Sequence, residues 1–137
     1  MALEDRIVDT CTEVFGTRLR GIFLFGSRVS GTARSDSDWD VGVWLHGPIR
    51  RRESWLPWVA AFSDWPETLD PTFLTEASLL EPPGWLLEAT RAGLRVIHDP
   101  SGALAGHLAR IRDEIQTGRF RRQLFMGLPY YRRQVLP

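Results

Sequence analysis

The chain has 137 residues, 43% hydrophobic and 25% charged, with seventeen basic side chains balanced by seventeen acidic ones; this is the make-up of one ordinary globular core, with no apolar stretch near the ~20 residues of a bilayer span. All the basic residues are arginine, which excludes the lysine-dependent chemistry of a Walker A loop, a Schiff-base enzyme or a protein kinase. With a single cysteine, Cys11, three scattered histidines, His46, His98 and His107, and no leader-like start in MALEDRIVDTC, neither an internal disulfide nor a zinc cluster is expected, and a cytoplasmic protein is.

Leu3, Ile7, Val8, Cys11, Val14 and Phe15 recur at helical spacing ahead of Gly16 and predict an amphipathic first helix. The apolar run Gly21 to Phe25 then reads as a buried strand that ends in the turn Gly26-Ser27. A polar connection, Ser27 to Ser37, leads into a second strand over Asp38 to Leu45. Gly47-Pro48 and Arg50-Arg51-Arg52 form an exposed connection, and Trp55, Trp58, Val59 and Phe62 mark one face of a second helix. Leu69 to Leu74 predicts a third strand, with Pro71, which lacks a backbone donor, at a sheet edge or a strand end. Pro82-Pro83 suits the start of a helix from Gly84 to Ala92, closed by Gly93. A fourth strand over Leu94 to His98 and a final helix striped by Leu104, Leu108, Ile111 and Ile115 complete the core.

The chemistry concentrates between the first two strands. Asp38 and Asp40 are two apart on a predicted strand, so both carboxylates leave one face roughly 7 Å apart, while Trp39, Val41, Val43 and Leu45 leave the other. Trp44 shares the acidic face, where it is a candidate to touch a nucleotide base. Carboxylates this close repel unless a cation lies between them, and with no Cys/His cluster in the chain that cation is Mg2+ or Mn2+. Phosphoryl-transfer sites commonly hold two such ions about 3.5–4 Å apart. Gly26-Ser27 offers backbone N–H groups and a hydroxyl to a triphosphate, and Arg28 and Arg34 are near enough in sequence to add charged donors. A third carboxylate is wanted to complete a metal shell or to take the proton of an attacking hydroxyl.

Gly26-Ser27, ten intervening residues and Asp38-Trp39-Asp40, within GSRVSGTARSDSDWDVGVWL, resemble the signature of the DNA-polymerase-β-type nucleotidyltransferases, and the fuller string resembles the minimal (MNT) branch. The resemblance spans roughly residues 4–117. It implies an α/β (α+β) nucleotidyltransferase fold, a small mixed sheet of about four strands with helices packed mainly on one face. It makes Asp38 and Asp40 the ligands of both metals and Asp70 the third carboxylate, although Pro71 and Thr72 follow where the family continues with apolar residues. Ser37 joins Gly26, Ser27, Arg28 and Arg34 as the nucleotide-binding set. The branch typically pairs with a HEPN-type ribonuclease, so the implied role is an antitoxin that transfers AMP from ATP to a hydroxyl, such as a tyrosine's, on that partner.

Two other functions fit the same residues: a small-molecule nucleotidyltransferase of the aminoglycoside-modifying type, and a binding antitoxin that needs no catalysis. An EF-hand loop does not fit, since Val41 stands where its glycine is required and Gly47 where its glutamate is. A bare acidic turn leaves Gly26-Ser27 without purpose. With the nucleotidyltransferase domain at residues 1–117, residues 118–137 remain as a basic tail. There Arg119-Phe120-Arg121-Arg122 and Tyr130-Tyr131-Arg132-Arg133 interleave arginine with aromatics, which suits a partner-docking segment better than nucleic-acid binding. His107 is expected to be a half-buried structural histidine.

Overall fold

A computed structural model describes residues 2–134. Helix α1, Leu3–Phe15, buries Ile7, Cys11 and Phe15, one residue per turn, and runs through a 3-10 turn at Gly16–Arg18 into strand β1, Leu19–Phe25. The four-residue helix α2, Ser27–Ser30, opens the connection to strand β2, Trp39–Leu45. Helix α3, Arg51–Phe62, strand β3, Leu69–Leu74, and helices α4, Glu76–Leu80, and α5, Gly84–Ala92, follow. Strand β4, Arg95–His98, and helix α6, Ala103–Gln116, precede a hairpin of strands β5, Phe120–Phe125, and β6, Leu128–Arg133. None of these helices is long and apolar enough to cross a membrane.

The sheet runs β3-β2-β1-β4. Strand β1 is antiparallel to both β2 and β4, whereas β2 and β3 are parallel, so the sheet is mixed, as expected. Pro71 does lie on an edge strand, where its missing N–H costs no ladder bond.

The distribution of helices differs from a sheet covered mainly on one side. Ile22 and Leu24 of β1 with Val41, Val43 and Leu45 of β2 pack under α1 and α3. Phe23 and Trp44, on the opposite face, pack with Leu74, Leu79, Leu86, Leu87, Leu104, Leu108 and Ile111 under α4, α5 and α6. Strands whose apolar residues follow one another without a break are apolar on both faces, and both must be covered. Gly42 makes one close approach possible, because a Cβ there would stand 2.3 Å from the Phe23 ring.

Three smaller expectations also change. Trp44 is 5% exposed and meets the edge of the half-buried His107 at 5.5 Å, so it belongs to the core and faces no base. In α3 the buried face is Ser54, Trp58 and Phe62, leaving Trp55 43% and Val59 40% exposed. Arg51 and Arg52 form the first turn of α3 and are not loop residues.

Candidate active site

Three chain segments meet where β1 ends and β2 and β3 begin. Phe25 is the registered partner of Asp40 across β1 and β2, and Asp40 is the registered partner of Asp70 across β2 and β3. The N–H of Trp39 donates to the Thr68 carbonyl at 2.8 Å, which ties the entrances of β2 and β3 together. Sheet register therefore brings two carboxylates 30 positions apart side by side.

Gly26 closes the site from β1. Its φ of 79° and ψ of −161° belong to a region that only glycine occupies without strain, and a Cβ there would lie 2.1 Å from Oδ2 of Asp40. The half-buried Asp40 carboxylate thus occupies the space a side chain at position 26 would fill. Beyond it the chain turns at once into α2, with the N–H groups of Val29 and Ser30 donating to the Gly26 carbonyl at 3.1 and 3.0 Å. Ser27, the first residue of α2, is partly exposed at the mouth of the site.

The loop between α2 and β2 is built around Arg28. Its Nε and Nη2 donate to the Ser37 carbonyl at 3.1 and 2.9 Å, Nη2 also donates to the Ser35 carbonyl at 3.1 Å, and the guanidinium lies over the Trp39 ring at 5.1 Å. Those donors hold the loop, so in this structure Arg28 is a brace. Ser37 is likewise engaged locally: its Oγ accepts from the Arg34 N–H at 2.8 Å, and its own N–H donates to the Arg34 carbonyl at 3.1 Å. Arg34 itself is exposed.

Asp38 and Asp70 are exposed and Asp40 is half-buried between them. Burial raises the Asp40 carboxyl above the ordinary aspartate range, and the charges of Asp70 and then Asp38 raise it further. An Asp40 carboxyl raised by burial and by two neighbouring acids fits a divalent cation. Among the described residues, however, no three His, Cys, Asp or Glu side chains converge tightly enough to enclose one by themselves. The two observations agree if the ion is shared with a ligand, since magnesium usually takes one or two carboxylates and completes its shell with water and substrate phosphates.

A cavity of about 470 Å³ opens beside Asp70, lined also by Ile49, Arg51, Trp55 and Thr72. The sequence alone hid this neighbourhood. Trp55 was expected on the packed face of α3 and Arg51 in a loop, and only their spacing of one helical turn hinted that they share a side.

The family is established by sequence. The model described as polymerase beta, nucleotidyltransferase, matches residues 9–92, which hold Gly26 and all three aspartates, and the chain belongs to that family. No curated protein matches it. Among solved structures the fold is similar to that of a mutant of the toxin–antitoxin MntA-HpeT in which two aspartates two positions apart are glutamate, with 15% identity over 86% of this chain and 90% of that chain and a TM-score of 0.64. A toxin–antitoxin crystallised with AMP-PNP shares 16% identity over 86% of this chain and 90% of that one, at a TM-score of 0.60. The tri-AMPylated Shewanella oneidensis HEPN toxin in complex with MNT antitoxin gives 16%, 85%, 86% and 0.58.

Proposed function

We propose that the chain is a metal-dependent adenylyltransferase of the cytoplasm, an antitoxin that moves AMP from ATP onto a hydroxyl of a HEPN-type toxin. The observation that carries this is the crowding of Asp38, Asp40 and Asp70 at one end of the sheet, with Gly26 drawn against the Asp40 carboxylate. Solved relatives of the same fold include a complex with AMP-PNP and a HEPN toxin that carries AMP groups, which supports the choice of nucleotide and acceptor.

In this proposal Asp38 and Asp40 hold Mg2+ or Mn2+, two ions in all with Asp70 as the third carboxylate. Such ions, when bound, activate the attacking oxygen and neutralise the triphosphate. Gly26 and Ser27 receive the phosphates through backbone N–H groups and the Ser27 hydroxyl. Arg34, exposed on the loop, supplies a charged donor, while Arg28 and Ser37 keep that loop in position. The acceptor hydroxyl approaches from the cavity beside Asp70, whose carboxylate takes its proton. Its oxygen bonds to the α-phosphorus, the bond from that phosphorus to the bridging oxygen breaks, and pyrophosphate leaves.

The test is labelling of a co-expressed HEPN-type protein by ATP labelled at the α-phosphate. Mg2+-dependent transfer that disappears in Asp38→Asn with Asp40→Asn is expected. Equal protection against the toxin by that folded double variant would make the chain a binding antitoxin, and transfer to an aminoglycoside without any protein partner would make it a drug-modifying enzyme.

A further inference from the structure

The hairpin β5–β6 is used at one end only. Phe120 at its base is buried, and on the same face Arg122 and the Tyr131 hydroxyl both reach Glu88 of α5, at 3.0 and 2.6 Å, while Arg133 pairs with Glu81. Side chains alternate across a strand, so the register Arg121↔Arg132, Gln123↔Tyr130 and Phe125↔Leu128 defines the face turned away from the domain. That face runs from charge at the base to apolar surface at the tip. Tyr130 donates to Gln123 Oε1 at 2.6 Å in the middle rung.

Neither end of this face is explained by the fold. Two arginines directly opposite on an antiparallel pair repel each other, and among the described residues neither Arg121 nor Arg132 pairs with a carboxylate, although Arg119, Arg122 and Arg133 all do. At the tip Leu124, Phe125, Met126 and Leu128 are 61%, 68%, 87% and 71% exposed, and Phe125, Leu128, Pro129 and Tyr130 line an open apolar depression of about 340 Å³. A contiguous apolar knob beside two uncompensated guanidinium groups has the make-up of an interface centre with an arginine rim.

We infer that the outer face of the hairpin docks the acceptor protein, the knob of Phe125, Met126 and Leu128 entering an apolar pocket rimmed by carboxylates that receive Arg121 and Arg132. The charge argument calls for an anionic protein surface, because such a rim turns the repelling pair into two attractions. The inference rests on the proposed transfer to a protein acceptor and adds where that protein binds. Catalysis and docking then lie on separate parts of one chain, so each can be removed alone.

The experiment uses the full chain and the co-expressed HEPN-type protein, with binding and α-phosphate labelling measured separately. Phe125→Ser with Leu128→Ser should weaken binding roughly tenfold or more, the scale of a central apolar anchor. Arg121→Glu with Arg132→Glu should weaken it most at low salt and flatten its salt dependence. All four side chains are outside the core, so thermal midpoints should stay near that of the unsubstituted chain. Affinity unchanged in both variants overturns the docking inference while leaving the transfer proposal intact. Binding through the tip without labelling supports the docking and overturns the transfer. No binding by the unsubstituted chain overturns both, and a change from dimer to monomer in the tip variant at constant affinity for the HEPN-type protein assigns the face to a second copy and overturns the inference.

Discussion

Gly26 shows how one residue couples backbone geometry to chemistry. Its left-handed backbone and the 2.1 Å that would separate a Cβ from Asp40 Oδ2 are two separate reasons for glycine at this position. Gly26→Ala should therefore destabilise the fold by about 1–3 kcal/mol, the scale of a strained backbone conformation, and displace the Asp40 carboxylate. Chemical denaturation and nucleotide titration of the same variant check both effects; an alanine chain as stable as the parent, with ATP affinity unchanged, contradicts this role. Asp40 was legible in the sequence because two acids at strand spacing are readable without a structure. Its neighbour Asp70 was reached only by family resemblance, since nothing local announces that β3 runs parallel to β2 with position 70 level with position 40. Arg28 shows the limit of proximity in sequence: it lies one residue beyond Ser27, yet its donors turn back to the Ser35 and Ser37 carbonyls.

Among the elements, those with repeated apolar spacing or firm punctuation were the legible ones. Helix α1 stops before Gly16, α5 follows Pro82-Pro83 and ends before Gly93, and β3 occupies Leu69–Leu74 with its proline at the sheet edge. Helix α4 has only five residues, too few for a periodic signal. In α3 Trp58 and Phe62 are buried as expected, but the small Ser54 takes the remaining buried position, so the large Trp55 and Val59 drew the predicted face partly off its true direction. The hairpin escaped notice because arginine interrupts apolar alternation in both strands and its turn is Met126-Gly127, with Met126 at φ 51°, a residue not associated with that conformation. A two-stranded ribbon is marginal alone, and this one leans on Glu88. The Arg122 hydrogen bond lowers the Glu88 carboxyl below the ordinary glutamate range, and the Tyr131 hydroxyl lowers it further against the opposing effect of burial. A carboxyl with a lowered pKa in the folded state stabilises fully above its unfolded value near 4.5 and loses that contribution as pH falls through the folded value. Hairpin amides should accordingly lose protection, measured against their intrinsic exchange rates, as pH falls below the ordinary glutamate value of 4.5, and Glu88→Gln should lower that protection a few-fold at neutral pH, the scale of exposed ion pairs. Exchange in the variant that matches the parent at both acidic and neutral pH would show that Glu88 does not hold the hairpin.

At the scale of the molecule, both faces of the sheet are committed to packing, and the candidate functional groups are confined to its margins. The continuous apolar run Gly21 to Phe25 already carried that information, because a strand covered on one face alternates and this one does not. Burial of Trp44 follows from the same fact. The acidic face of β2 is acidic only at its first turn, where the strand emerges from beneath α4 to α6. The proposed nucleotide site lies at that margin and the apolar hairpin tip projects from another part of the chain, so in this proposal recognition of an acceptor is separable from transfer to it.

The central claim, that the clustered aspartates serve a cation and a triphosphate together, is tested most directly by thermal unfolding of the parent and Asp40→Asn, each with and without Mg2+ and ATP. Without ligands the variant should unfold at the same temperature or higher, because the raised Asp40 carboxyl marks a charge that the fold disfavours. Mg2+ and ATP together should raise the midpoint of the parent, by the equivalent of about 2.7 kcal/mol at a hundredfold excess over Kd, and leave that of Asp40→Asn unmoved. An equal rise in both proteins, or none in the parent, contradicts the account.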